Sequence, residues 1–469
     1  MQKSRLLEVF WSMSKQEMQQ LGRFLASPYH NTRADVVRLY EHIDFAFREN
    51  LESTLDKKYT HDKLFPKQSY KDLNMRLVMS RLLQLTEDFL AIERYRDDRT
   101  AKSLYLAEVY RQRKLPKSFR HNIKTVRKLQ EKTPSYSTSD QFRASMLEEI
   151  NYQFQIEENR QGERNLQGWH DTLHHFLVAE VLRQNCILLM HNRLSKQKYD
   201  SPLLGDILKL IHTQSELLNI PAIFLYYHSY RMLSGENDND HFQQLKLGII
   251  RYGVGFPQTE LKEIYLFAIN HCIRQNNKNE GTVFLNELFN LYQIGLKQDA
   301  FLENGFLSRW TYKNIVAAGL MLGEFRLVKD FIYEYEIKLE HKYRKDSLTY
   351  NLAFLYHATK QYDKAILQLQ QVKSDDVFLN MNARKLLLKI YLELEEYEAL
   401  DAHLNSFEIF IRRKKVSNPH RDNYLNIIKL SRKIIQLNPH DKAAKAALRK
   451  EIEAEKNAST RAFLLDILK

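Results

Sequence analysis

Tyr350-Asn351-Leu352-Ala353-Phe354-Leu355-Tyr356-His357-Ala358-Thr359-Lys360-Gln361-Tyr362-Asp363-Lys364-Ala365-Ile366 carries an apolar helix face, a short polar turn and the start of a second apolar face. The pattern recurs with a period in the mid-thirties, the length of a two-helix solenoid repeat. One such unit cannot bury its own apolar face and needs neighbours stacked against it. Working outward, helix pairs are expected at about 221–250, 259–295, 308–338, 346–372 and 380–411. Residues 140–215 also read as helical. The expected fold is all-α, an N-terminal helical domain followed by a right-handed superhelix of stacked helix pairs.

The breakers agree with this reading. They fall at Leu115-Pro116, Thr133-Pro134-Ser135, Ser201-Pro202, Ile220-Pro221, Ser234-Gly235-Glu236-Asn237, Gly255-Phe256-Pro257, Asn276-Asn277, Asn418-Pro419 and Asn438-Pro439. Proline lacks an N–H and fixes φ, so it belongs at helix edges. Only 13 Gly and 9 Pro occur in 469 residues, too few for strands punctuated by tight turns. Aromatics at 12% and hydrophobics at 43% suffice to fill a core.

The front end reads differently. Ser14 with Glu17 is spaced as a capping box, and Met18, Leu21, Phe24 and Leu25 form a stripe behind it. A second helix carries Val36, Leu39, Ile43 and Phe47. A long helix from about Ser69 to Tyr95 has apolar residues, Leu73 and Leu77 among them, over much of its circumference. A stripe that wide implies burial between neighbours. The expected organisation is therefore an N-terminal helical domain over 1–97, a repeat array over 98–450 and a C-terminal capping helix over 451–469.

Charge is unevenly spread within a formal net of +13. Residues 1–135 hold 27 Lys and Arg against 17 Asp and Glu, residues 136–408 hold 29 against 35, and residues 409–450 hold 12 against 2. Basic ends suit nucleic acid, an anionic membrane surface or an acidic partner, and equally suit ordinary solvated helix faces. The sharpest cluster is Arg412-Arg413-Lys414-Lys415 with Arg421, Lys429, Arg432 and Lys433. No apolar run reaches the length of a membrane span, and Met1 to Ser14 lacks an uninterrupted apolar leader segment. Cys186 and Cys272 have no CxxC partner and are expected as buried thiols. A reducing, cytoplasmic setting is expected.

Tyr350 to Val372 resembles a tetratricopeptide (TPR) repeat. Ala353 and Ala365 stand where that family places small residues for a close helix crossing, and Tyr356 and Tyr362 where it carries large packing side chains. The unit before has Val316, Phe325 and Val328 at the comparable places; the unit after has Leu388, Tyr391, Tyr397 and Leu400. The resemblance implies a TPR-like superhelix whose first helices line a concave face. Carried over by position, Trp310, Lys313, Tyr350, Phe354, His357, Lys385 and Lys389 would line a partner-binding groove suited to an acidic protein or peptide segment. Ala317 and Phe354 stand where chaperone-tail receptors of that family need asparagine, which disfavours that ligand. Arg23-Phe24-Leu25-Ala26-Ser27-Pro28-Tyr29-His30-Asn31 resembles a Ser-Pro-Tyr-x-Asn motif in a group of uncharacterised bacterial all-helical proteins. Leu64-Phe65-Pro66 and the helix after it also resemble the DNA-binding domain of bacterial activators, without the strand pair that would form a wing.

Catalytic and cofactor motifs are absent: no GxGxxG, no P-loop, no GxSxG, no HExxH and no kinase signature. No enzymatic activity, cofactor or metal is expected. His170 and His174 lie one turn apart beside Asp171 and could share a metal, but no third ligand stands at a recognised spacing. The expected function is a non-enzymatic scaffold for protein or peptide partners. The alternative is a transcription regulator contacting DNA through Lys71, Arg76 and Arg81.

Overall fold

The computed structural model describes residues 1, 4–49, 51, 55–66, 68–132, 136–159, 161–162, 164–195, 197, 199–235, 238–278, 282–372, 376–414, 418–438, 440–455 and 458–468. Of the residues named above, Thr133, Pro134, Ser135, Glu236, Asn237, Lys415 and Pro439 lie outside these. The fold is all-α, with one two-stranded hairpin among the described residues. The chain divides into two compact units, residues 1–132 with 143–169 and residues 133–142 with 170–469.

The first unit holds α1 (Arg5–Ser12), α2 (Lys15–Leu25), α3 (Ala34–Arg48), α4 (Lys57–Leu64), α5 (Asp72–Asp97), α6 (Arg99–Gln112), α7 (Pro116–Lys132) and most of α8 (Thr138–Glu158). Ser14 and Glu17 form the expected capping box on α2: the Ser14 N–H donates to Glu17 Oε2 at 2.7 Å and the Glu17 N–H to Ser14 Oγ at 3.2 Å. The Ser-Pro-Tyr-His-Asn segment closes that helix. Buried Asn31 donates from Nδ2 to the carbonyls of Leu25 and Arg33, each at 3.1 Å, and accepts from the Arg33 N–H at 3.0 Å. One side chain thus satisfies a helix end and sets the path into α3. His30 stacks on Phe24 at 4.0 Å. Helix α5 packs against α1 to α4 through Met75, Val78, Leu82, Leu85 and Phe89. Leu73 and Leu77 were expected inside, but they are 65% and 54% exposed. The neighbours of α5 cover one side of its first turns only.

The second unit begins with most of α9 (Leu166–Leu194) and α10 (Leu204–Thr213). Five hairpins follow: α11 (Pro221–Ser234) with α12 (Asp238–Tyr252), α13 (Gln258–Lys278) with α14 (Val283–Lys297), α15 (Arg309–Met321) with α16 (Phe325–Tyr335), α17 (His341–Ala358) with α18 (Tyr362–Gln371), and α19 (Val377–Glu393) with α20 (Tyr397–Arg413). These match the helix pairs read from the sequence. The break expected at Asn276-Asn277 falls instead in the last turn of α13, where asparagine costs little. Helices α21 (Asn418–Ile435), α22 (Lys442–Glu453) and α23 (Ala458–Ile467) complete the unit. The hairpin strands β1 (Leu302–Glu303) and β2 (Phe306–Leu307) flank Asn304 and Gly305, both at positive φ, as a tight two-residue turn requires.

First helices of successive pairs pack on one another, α15 on α17 and α17 on α19. The turns within these pairs share one geometry. Gly323, Lys360 and Glu395 all adopt left-handed φ, and the next residue's N–H returns to the carbonyl of Gly319, Tyr356 and Tyr391 at 3.0, 2.8 and 3.0 Å. This is the Schellman closure of a helix. At Gly319 the two helices of the α15–α16 pair come close: a Cβ there would lie 2.4 Å from Val328.

Polar ties join neighbouring layers. The buried Tyr226 hydroxyl of α11 donates to Glu260 of α13 at 2.6 Å, and the Thr138 N–H reaches the same oxygen at 3.4 Å. Arg183 of α9 forks onto Glu263 at 2.9 and 3.1 Å. Cys186 and Cys272 are buried and unbonded to each other, and burial pushes both thiols up. Among the described residues, no helix is long and apolar enough to cross a membrane.

Candidate functional site

The side chains named for the groove come from α15, α17 and α19. Ser308 caps α15 by accepting from the N–H groups of Trp310 and Thr311, and Asp376 caps α19 by accepting from Phe378 and Leu379. Each cap satisfies free N–H groups at the start of its own helix. Arg309 pairs with Asp376 at 2.9 Å and lies over the Tyr343 ring of α17, 4.0 Å from its centroid. Three first helices therefore meet around one guanidinium. Trp310, 43% exposed, stands edge-on to Phe378 at 6.0 Å.

Farther along the same helices the cations gather. Lys313 Nζ of α15 lies 6.0 Å from the Tyr350 ring of α17. On α19, Lys385 and Lys389 are one turn apart. Lys385 Nζ donates to Thr460 Oγ1 at 3.0 Å, and Lys389 Nζ sits 4.4 Å from the Phe463 ring centroid. All three lysines are partly buried. Burial, joined by the neighbouring charges of Lys389 and Lys313, pushes the Lys385 ammonium down to about 8, against the opposite pull of Glu455. Burial also lowers Lys313 and Lys389, opposed by Asp376 and Glu393 respectively.

The remaining groove residues divide in two. Phe354 is half-buried, its ring 6.3 Å from that of Tyr350, and His357 Nε2 is engaged by Glu393 at 2.9 Å. Tyr350 lies in the core, only 5% exposed, among Ala353, Ala365 and Ala383, so its ring serves packing. The structure adds side chains that repeat spacing could not point to. Tyr424 of α21 donates to Asn382 of α19 at 3.1 Å, and Thr460 and Phe463 arrive from α23.

The other sequence candidates lie apart. Lys71 precedes α5 as its extended N-cap residue, and Arg76 and Arg81 on α5 are five residues apart, which turns them about 140° from each other. Arg76 pairs with Asp72, and Arg81 donates to Gln84 at 2.9 Å. The basic excess of the first unit is more concentrated along α7. There Arg120, Lys124, Arg127 and Lys128 edge a cleft of about 520 Å³ against α8, with Arg120 and Arg127 paired to Glu158 and Glu148. The C-terminal cluster is also answered by acids: Arg412 and Arg432 meet Glu408, while Lys429 and Lys433 meet Glu451. The His170 and His174 rings are 3.9 Å apart, and no group of three candidate ligands forms among the described residues.

Compared with protein-family models, with curated proteins and with solved structures, the chain matches none.

Proposed function

We propose that the second unit is a non-enzymatic, TPR-like binding scaffold, and that the surface formed by α15, α17 and α19 receives a protein or peptide partner. The observation that carries this reading is the convergence of Lys313 of α15 with Lys385 and Lys389 of α19, on helices that also present exposed Trp310 and flank α17 with its half-buried Phe354. Aromatic side chains supply buried area to an interface, while fixed cations select among partners. A cytoplasmic location belongs to the same reading, since two buried, unpaired thiols fit a reducing compartment.

The test is photo-crosslinking in the native host, with a benzophenone amino acid placed at Trp310, at Phe354 and, as a control on the second helix of a pair, at Leu367. Adducts from the first two positions and none from Leu367 are expected. Equal labelling from all three, or none from any, overturns the reading. Duplex DNA retained by the full chain and released when Lys71, Arg76 and Arg81 are replaced by Ala would favour a regulator instead.

A further inference from the structure

We propose that the outer face of α7 is a contact surface for duplex DNA, gripping the phosphate backbone without reading sequence. It belongs to the first unit and does not depend on the partner surface proposed for the second.

The segment 111–132 holds nine Lys and Arg against one acidic residue, Glu131. On α7 the helix period sorts these charges to one side. Phe119, Ile123 and Val126 are buried and join Leu104 and Ala107 of α6 and Leu147 and Phe154 of α8 in one core. The other side carries Lys117, His121, Lys124 and Lys128 at i, i+4, i+7 and i+11, all exposed. That row runs about 16 Å along the helix, with Arg120 and Arg127 beside it. Arg113 and Lys114 stand exposed in the turn that leads into α7, Lys114 at φ +55°.

Pairing divides these cations. Arg111 meets Glu108 and Glu157, Arg120 meets Glu158, and Arg127 meets Glu148. Among the described residues, Arg113, Lys114, Lys117, Lys124 and Lys128 form no ion pair. Glu131 subtracts one charge at the far end of the row.

What accompanies the charge selects the occupant. A helix that lies on a bilayer turns an apolar face to the acyl chains, and the apolar face of α7 is inside the core. Protein interfaces are anchored by aromatic side chains and depleted in lysine. Between Lys117 and Lys128 the exposed residues without a basic group are Ser118 and Thr125. A single strand needs aromatic platforms for its bases, whereas Phe119 and Phe154 are buried and stacked on each other at 3.9 Å. Cations repeated along a rigid rod with no apolar anchor fit a duplex backbone, where affinity comes from counterions released at phosphates. The wide major groove of B-form DNA admits a helix face, and that of A-form RNA is too narrow.

Fluorescence anisotropy of the full chain over a series of KCl concentrations tests this. The probes are two end-labelled DNA duplexes of unrelated sequence, one of their single strands, an RNA duplex of equal length and anionic phospholipid vesicles. Both DNA duplexes should bind alike, with a log–log salt slope of magnitude about 4.5, or about 0.9 for each of the five unpaired cations. Combined Lys117→Gln, Lys124→Gln and Lys128→Gln should lower that magnitude by about 2.7 and weaken low-salt binding at least tenfold. The melting temperature should hold, because none of the three makes an ion pair. Arginine at the same three positions should bind as the parent does, and so should the Ala variant of Lys71, Arg76 and Arg81. No binding at low salt, a slope that the Gln substitutions leave unmoved, or loss of binding in the Arg variant overturns the proposal. Tighter binding to the single strand, the RNA duplex or the vesicles also overturns it, as does a marked preference between the two DNA sequences.

Discussion

The hydroxyl of Tyr226 donates to the carboxylate of Glu260 at 2.6 Å inside the core, joining the first helices of two consecutive pairs. Glu260 is 9% exposed, and burial raises its pKa while the Tyr226 bond lowers it. Tyr226→Phe leaves a buried carboxylate short of a donor and should cost about 1–3 kcal/mol. Urea denaturation should show a lower midpoint with an unchanged slope. The loss should shrink toward acid pH, where the carboxyl carries its own proton.

Ala365 is fully buried in a small core with Tyr350, Ala353, Leu369 and Ala383. Ala365→Leu places three extra carbons at the α17–α18 crossing and should destabilise by about 1–3 kcal/mol. An unchanged denaturation midpoint would mean that this crossing has slack.

Lys360 holds φ at +56° in the turn where the neighbouring pair has Gly323 at +77°. Left-handed backbone costs a side-chain-bearing residue about 1–2 kcal/mol, offset in part by glycine's greater freedom when unfolded. Lys360→Gly should therefore stabilise by up to about 1 kcal/mol. Gly323→Ala, which meets no atom within 4 Å, should lose a similar amount through φ alone. Thermal melts of the two variants should move in opposite directions.

Lys385 titrates at about 8 against an ordinary 10.5. Between these values the folded chain binds fewer protons than the unfolded one, so stability rises with pH. The penalty is present in full below about 8 and gone above about 10.5, with an upper bound of roughly 3 kcal/mol. Lys385→Met should raise stability at neutral pH and flatten the rise across that window, as read by denaturation at a series of pH values.

The helix pairs were legible because their period, breakers and caps are local. The turn closures were less so: a lysine or glutamate at left-handed φ leaves no mark in composition, and Gly323 alone hinted at the geometry. The Asn304-Gly305 pair is a hairpin signal that the short flanking strands were too brief to reinforce. The TPR resemblance, carried over by position, grouped Lys313, Phe354, Lys385 and Lys389, because in that family the first helices line one face. It could not tell that Tyr350 faces Ala353 and Ala365 rather than solvent. Nor could it supply Thr460 and Phe463, which reach α19 from the last helix. Leu73 and Leu77 misled for a related reason, since a wide apolar stripe says nothing about which neighbours cover it.

Helical repeat arrays ordinarily open one layer at a time, because each layer touches only the next. The Arg309–Asp376 pair departs from that rule by clamping the start of α15 to the start of α19 across the whole intervening hairpin. A tie that skips one pair couples the opening of the pairs at its two ends with that of the pair between them. Under pulling force or in native-state hydrogen exchange, α15 to α20 should give way as a single step rather than as a staircase.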